Sequence, residues 1–132
     1  MKIKKLSLLD WLIKKMKTMY IQREKIMSLD LLARETHITA KAKGFWDGEI
    51  NYDKIGNKLA LVHSEVTEVL EAIRKSKGGD EVVEEMADVI IRLVDIYQAM
   101  VNSGDITRSL DIAIETKMMK NKARPALHGN LF

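Results

Sequence analysis

The chain has 132 residues, a length that suits one domain with one hydrophobic core. Its residues are 46% apolar and 31% charged, which is typical of a folded globular protein and excludes a disordered one. It contains no cysteine, so disulfides, thiolate metal sites and cysteine nucleophiles are excluded. One proline and seven glycines favour long helices over a sheet of many strands.

The formal net charge of +3 is unevenly distributed along the chain. Residues 1–26 contain eight basic and two acidic side chains, a net charge of +6. The other 106 residues contain 14 basic and 17 acidic side chains, a net charge of −3. Because basic side chains outnumber acidic ones only in the N-terminal segment, nucleic-acid binding by the rest of the chain is not expected.

Residues 1–27 form a basic extension for which the spacing of apolar residues predicts an amphipathic helix. Seven apolar residues recur at helical spacing and leave a lysine-rich outer face: Leu6, Leu9, Leu12, Ile13, Met16, Met19 and Tyr20. The apolar run 6–13 contains Asp10 and is too short to span a membrane. This helix can pack on the body of the chain or on a second subunit, or it can contact a membrane surface or nucleic acid.

Two further helices are predicted on either side of a glycine-containing loop. Ser28 is a candidate N-cap for a second helix over residues 28–43. Residues 44–53 are predicted to form a loop, since Gly44 and Gly48 break the helical pattern. Asn51 or Asp53 then begins a third helix that extends to about residue 77.

Glycines mark the next two boundaries. Gly78-Gly79 ends the third helix, and Asp80 is a candidate cap for a fourth that extends to about residue 103. Gly104-Asp105 repeats this arrangement before a fifth helix that continues to about residue 122. No segment shows the alternation of a half-buried strand over a useful length. We therefore predict an all-α bundle of four to five helices, in which residues 54–77 and 80–103 form a central antiparallel hairpin.

Two pairs of acidic residues occupy matching positions on the two helices of this hairpin. Glu65 and Glu68 are three residues apart on one helix, and Glu85 and Asp88 are three residues apart on the other. This spacing places both side chains of a pair on one face of a helix. Each pair lies on the same flank of its helix's apolar stripe, with apolar neighbours around it. Carboxylates that converge in such surroundings repel one another and lose charge unless a cation joins them.

A hard divalent cation would remove this repulsion. Carboxylate oxygens are the ligands that Mg²⁺ and Mn²⁺ prefer, whereas Zn²⁺ normally takes nitrogen or sulfur. Because Mg²⁺ also binds substrate phosphates, a polyphosphate substrate is expected. The alternative is that both acid pairs lie on solvated faces and bind no metal. A di-iron site is not expected, because the sequence contains no Glu-x-x-His motif.

Three motifs follow one another in the domain formed by residues 28–132: His37 with the run Lys43-Gly44-Phe45-Trp46-Asp47, the two acid pairs, and a C-terminal run from Lys117 to Gly129. In this order they resemble the all-α nucleotide pyrophosphohydrolases of the MazG-like superfamily. The resemblance implies an oligomeric, Mg²⁺-dependent hydrolase that converts a nucleoside triphosphate to the monophosphate and pyrophosphate. It also implies that the four acids of the two pairs bind the metal and carry the catalysis.

The same resemblance implies several substrate-binding residues. His37 matches a histidine of the family's nucleotide pocket, and Trp46 matches a tryptophan that stacks on the base. The alternatives are a histidine that only makes hydrogen bonds and an aromatic that plugs the end of the bundle. The residues expected to hold phosphates are Lys117, Asn121, Lys122 and Arg124. Alternatively, these cations only favour the dipole at the end of their helix.

Arg92 follows Asp88 by one helical turn on the same face. We expect it to pair with Asp88 or Asp95 and so to orient a ligand. Some family members specific for pyrimidine deoxynucleotides have an aromatic residue at this position, so the preferred base stays open.

The function predicted from the sequence is therefore that of a cytoplasmic enzyme that cleans or controls the nucleotide pool. A homodimer or homotetramer is expected, because a single layer of such hydrophobic helices would leave a wide apolar surface in water. The competing class is a non-enzymatic helical interaction module. Its basic N-terminal helix would dock on nucleic acid, a membrane or an acidic partner.

Overall fold

The computed structural model describes residues 28–125 and, ahead of them, residues 9, 12, 13 and 15. The tail 126–132 and most of the basic extension lie outside the described residues, so the helix expected for residues 1–27 stays a prediction. Within residues 28–125 the chain forms four helices and no strand: α1 (Leu29–Ala42), α2 (Tyr52–Arg74), α3 (Gly79–Ser103) and α4 (Leu110–Ala123). The all-α prediction is confirmed. In the described part of the chain, no helix is both long and apolar enough to cross a membrane.

Side-chain caps begin α1 and α2 where the sequence predicts them. Ser28 Oγ accepts a hydrogen bond from the Leu31 amide at 3.0 Å. Asn51 Oδ1 accepts one from the Lys54 amide at 2.9 Å. These bonds satisfy amide groups that the first turn of a helix leaves without a partner. Both predicted N-caps are therefore confirmed, with Asn51 and not Asp53 at the start of α2.

The boundaries of α3 follow the glycines, with one correction. Gly78, with a φ of 104°, is the N-cap of α3, so the prediction of Asp80 as the cap is wrong. Asp80 lies instead in the first turn, where a negative charge favours the helix dipole. Gly104 ends the helix in the left-handed conformation, with a φ of 86°, which only glycine adopts without strain.

α4 begins at Leu110 and not after Asp105, because a contact with another helix organises its first turn. Ser109 Oγ accepts a hydrogen bond from the Ile112 amide at 3.3 Å and caps the helix. The Ser109 hydroxyl and the Leu110 amide both donate to the carboxylate of Asp30, at 2.5 and 2.9 Å. Since Asp30 belongs to α1, these bonds attach the start of α4 to α1.

The four-residue connection 75–78 joins α2 and α3, which pack along each other as the predicted antiparallel hairpin. α1 packs on α3, whereas α4 packs on α1 and touches α3 where the Leu110 amide donates to the Tyr97 hydroxyl at 3.2 Å. A buried cluster closes the end of the hairpin that lies far from the connection, and it consists of Trp46, Ile55, Ile96 and Ala99. The carboxylates described next lie between this cluster and the connection.

The apolar stripes of the hairpin remain about half exposed in the single chain. They comprise Val66, Leu70 and Ile73 on α2, and Met86, Ile90 and Leu93 on α3. A wide exposed apolar surface is unusual for a monomer, because its burial against a partner is favourable. The stripes are consistent with the expected oligomer, which stays a prediction.

Candidate metal site and the cavity beside it

Three carboxylates converge between the two helices of the hairpin. Glu65 and Glu68 come from α2 and Glu85 comes from α3, and one oxygen of each lies within 4.8 Å of the other two. We call this set the acidic group. Glu65 is 7% exposed, Glu85 is half-buried and Glu68 is exposed. Oxygen ligands that share one Mg²⁺ or Ca²⁺ lie within about 5 Å of one another, so the spacing of the acidic group suits a cation.

The register of the hairpin explains why these residues meet. Glu68 and Glu85 are equally far along the chain from the middle of the connection 75–78, and so are Glu65 and Asp88. In an antiparallel hairpin, residues equally far from the turn lie at the same height on their two helices. The spacing of three residues keeps the members of each pair on one helix face. The two pairs therefore lie opposite each other.

Asp88 lies outside the acidic group, although the sequence predicts it as the fourth ligand. Its side chain is exposed and lines a neighbouring cavity. The structure thus brings together three of the four predicted ligands within the distance that a shared cation requires. The role of Asp88 as a metal ligand stays a prediction.

The electrostatics of the acidic group favour a bound cation. Desolvation by burial raises the pKa of Glu85, and the negative charge of Glu68 raises it further. Asp88 and Glu65 contribute in the same direction, whereas the ammonium group of Lys77 lowers the pKa. Glu85 is thus a carboxyl group whose ionised form is disfavoured by its surroundings. A divalent cation would favour the ionised form, because it supplies the opposite charge that these surroundings lack.

Arg92 reaches the acidic group from α3. Its Nε lies 2.6 Å from Glu65 Oε1, and this ion pair joins α3 to α2. The predicted pairing with Asp88 or Asp95 is wrong, because the guanidinium reaches across to the neighbouring helix and not along its own. Such an ion pair compensates a carboxylate that is largely removed from water.

A cavity of about 750 Å³ lies beside the acidic group, between α1, α2 and α3. Its apolar wall includes Ala40, Leu61, Ile91 and Ile96. Its volume lies in the range of small-molecule sites, which is about 300–1,000 Å³. Asp88 and Arg92 both line it. Because Arg92 lines the cavity and also contacts Glu65, the cavity lies next to the acidic group.

Trp46 and His37 are buried behind the cavity and share one partner. The indole N–H of Trp46 donates to both oxygens of Asp95, at 2.9 and 2.8 Å, and the residue is 4% exposed. His37 Nδ1 donates to the same carboxylate at 2.7 Å. The predicted contacts of Trp46 and His37 with a nucleotide stay predictions; both residues are buried in the single chain and neither is among the residues that line this cavity. They support the cavity through Asp95, which lines its wall.

Sequence reasoning missed three residues of the cavity. Phe45, which is 62% exposed, is the aromatic residue that lines it. The Lys58 ammonium lies 5.3 Å from the Phe45 ring centroid and 4.9 Å from that of Trp46, a cation–π arrangement. Asp95 is the third. Its signal is an acid within an apolar helical run, since such a residue is rarely buried without a partner.

The residues predicted to bind phosphates lie elsewhere. Lys117, Asn121, Lys122 and Arg124 are exposed on α4 or directly after it. α4 packs on α1 and reaches α3 at its first residue, Leu110, and none of these four residues is among those that form the acidic group or line the cavity. Their role in phosphate binding stays a prediction.

Comparison with known proteins provides one match. The family model for the MazG nucleotide pyrophosphohydrolase domain matches residues 55–128, more than half of the chain. The matched range contains both acid pairs and α4, but neither His37 nor Trp46. No curated protein and no solved structure matches the chain.

Proposed function

The chain belongs to the MazG nucleotide pyrophosphohydrolase family, and from this premise we propose that it is a Mg²⁺-dependent enzyme that hydrolyses a nucleoside triphosphate to the monophosphate and pyrophosphate. The observation that carries the proposal is the convergence of Glu65, Glu68 and Glu85 beside a cavity of nucleotide size. An acidic group alone would suit a structural cation, and a cavity alone would suit many ligands. Side by side, they favour a substrate that has both a cation-binding polyphosphate and an organic part.

The acidic group is the site that we assign to the cation. Its ligands are all carboxylate oxygens, the set that suits Mg²⁺ or Mn²⁺. The raised pKa of Glu85, caused first by burial and next by Glu68, is a further reason to expect a positive charge there. When bound, the metal supplies Lewis-acid chemistry: it polarises phosphoryl oxygens and lowers the pKa of its bound water.

Asp88 and Arg92 act at the boundary between the acidic group and the cavity. Asp88 is exposed on the cavity wall and lies outside the acidic group, so it is the carboxylate best placed to take the proton from the attacking water. Arg92 places a positive charge at the same boundary. Water adds across the bond between the α- and β-phosphates, and this accounts for a monophosphate and pyrophosphate as products.

The cavity holds the base and sugar in this proposal. Phe45 offers an exposed ring on which a planar base can stack, and Leu61 and Ile91 provide apolar surface. Asp95 shapes the wall from behind, since Trp46 and His37 fix its carboxylate. The proposal covers ribonucleotides and deoxyribonucleotides alike.

A homodimer or homotetramer completes the proposed enzyme. The exposed stripes of α2 and α3 provide apolar surface for contact between copies. We assign the cations of α4 to the substrate phosphates of a second copy, because within one chain α4 packs on α1 and reaches the hairpin at its first residue, Leu110. Hydrolysis of unwanted nucleotides would clean or control the nucleotide pool, a role that suits the cytoplasm.

The test is an assay of the purified protein with Mg²⁺ or Mn²⁺ on a panel of canonical and damaged ribo- and deoxyribonucleoside triphosphates. We expect pyrophosphate, and not orthophosphate, from at least one of them. Glu65→Gln and Asp88→Asn should abolish the release while circular dichroism remains that of a folded bundle. Glu71→Gln is the matched control, because Glu71 lies on α2 but pairs with Arg74 and Lys75 at the surface. No pyrophosphate from the whole panel would contradict the proposal.

A further inference from the structure

Arg92 takes part in both halves of the proposed active site. Its Nε forms an ion pair with Glu65 Oε1 at 2.6 Å, and its side chain also lines the cavity. The Glu65 side chain is 9% exposed, whereas that of Arg92 is 42% exposed. The carboxylate is therefore held in place, and the guanidinium has room to move at the open side of the pair.

The Glu65 carboxylate would bind two positive charges, the Arg92 guanidinium and the metal ion. One of its oxygens forms the ion pair with Arg92, and the same carboxylate lies in the acidic group with Glu68 and Glu85. Two cations that bind one carboxylate repel each other. Because Glu65 is largely shielded from water, mobile ions screen this repulsion less than they would at an open surface.

We propose that Arg92 is a positioning residue that competes with the metal for the charge of Glu65, so that metal binding releases the guanidinium towards the cavity and its anionic substrate. The inference rests on the proposed function, since it takes the metal ligands from there. Linkage makes the competition reciprocal: Arg92 weakens metal binding by the same factor by which the metal weakens the ion pair.

The first experiment measures metal affinity by calorimetry, with Mg²⁺ or Mn²⁺ and without nucleotide. Arg92→Gln should bind the metal about tenfold more tightly than the wild type, because one repelling charge is removed. Arg92→Lys keeps the charge and should stay within about threefold of the wild type. Arg74→Gln is the matched control, since it removes an arginine that pairs with Glu71 at the surface of α2. Unchanged or weaker metal binding by Arg92→Gln would overturn the proposal, because an arginine that only orients Glu65 supports metal binding.

The second measurement uses a non-hydrolysable nucleoside triphosphate analogue at saturating metal. Here Arg92→Gln should weaken binding about tenfold, since the released guanidinium no longer meets a phosphate. Opposite changes in metal and nucleotide affinity are the signature of the competition. A purely structural role would weaken both affinities together, and that result would overturn the proposal.

The third readout is measured on the wild-type protein. The chain has six arginines, so the Nε–H signals of an arginine-labelled sample can be resolved and that of Arg92 assigned through Arg92→Lys. Added Mg²⁺ should shift this signal as the bond to Glu65 weakens, and an unmoved signal at saturating Mg²⁺ would overturn the proposal. A wild type that binds no metal would overturn the proposed function as well. Normal metal binding with no tightening in Arg92→Gln would overturn the competition alone.

Discussion

Asp95 accepts the hydrogen bonds of a small buried network. The loss of unfolding free energy in a variant without this carboxylate follows from the number of donors that would lose their acceptor. Its carboxylate accepts hydrogen bonds from the Trp46 indole at 2.9 and 2.8 Å and from His37 Nδ1 at 2.7 Å. Trp46 is 4% exposed and His37 is 3% exposed. Asp95→Ala would therefore leave two donors buried without an acceptor.

Each buried donor without a partner costs about 1–3 kcal/mol, so the free energy of unfolding of Asp95→Ala should fall by about 2–6 kcal/mol. A water molecule in the vacated space would bring the loss towards the lower value. Asp95→Asn keeps the oxygen that accepts from both donors but places an amide N–H where the second oxygen faced the Trp46 indole, so a loss of about 1–3 kcal/mol is expected for it. Domains of this kind are stable by about 5–15 kcal/mol, and the alanine variant would lose a large part of that.

The assay is urea unfolding followed by circular dichroism. All variants must be compared at one protein concentration, because association of copies makes the apparent stability depend on concentration. Asp105→Ala is the control, since Asp105 is exposed and accepts a hydrogen bond from the Ser103 hydroxyl at 2.6 Å. The unfolding free energy of Asp105→Ala should fall by less than about 1 kcal/mol. If Asp95→Ala lost no more unfolding free energy than Asp105→Ala, the hydrogen bonds to Asp95 would not stabilise the fold as their geometry predicts.

Three other outcomes are expected. Partial burial opposes ionisation of Asp30, but hydrogen bonds from Ser109 and the Leu110 amide outweigh it and hold its pKa below 3.8. Its stabilising effect is present above that pH and lost as the pH falls through the lowered pKa, so the difference in unfolding free energy between wild type and Asp30→Asn should vanish in acid. Gly104→Ala should cost about 1–2 kcal/mol in a urea titration, because the φ of 86° strains any side chain although no atom lies within 4 Å of the new Cβ. A mixture of inactive Glu65→Gln and inactive Lys117→Gln chains should regain pyrophosphate release, and no regain after co-refolding would contradict a site shared between copies.

The elements that the sequence predicts correctly are those with local causes. Ser28 and Asn51 cap helices by bonds to amides three residues ahead. The acidic group was also predictable, because Glu68 and Glu85 are equally far from a turn that glycines mark. In both cases the interacting residues are related by a fixed spacing within a helix or a hairpin.

The corrections concern residues whose partners are remote along the chain. The start of α4 was missed because Asp30, far back in α1, binds Ser109 and the Leu110 amide. The partner of Trp46 was likewise not predicted, because no local pattern shows that Asp95 accepts its indole N–H. A short motif identifies the type of residue that a site uses, but not which other helix satisfies its polar atoms.

The carboxylates and the cations of the proposed active site lie on different parts of the chain. This difference affects how copies of the chain would assemble. The acidic group needs only the register of one hairpin, so a single chain forms it. The cations of α4 are exposed on a helix that packs on α1, while the stripes around Val66 and Met86 remain exposed on the hairpin. Burial of those stripes against a second copy is a large favourable contribution that does not depend on the substrate. Association would then bring phosphate-binding cations to a site whose metal ligands each chain already provides.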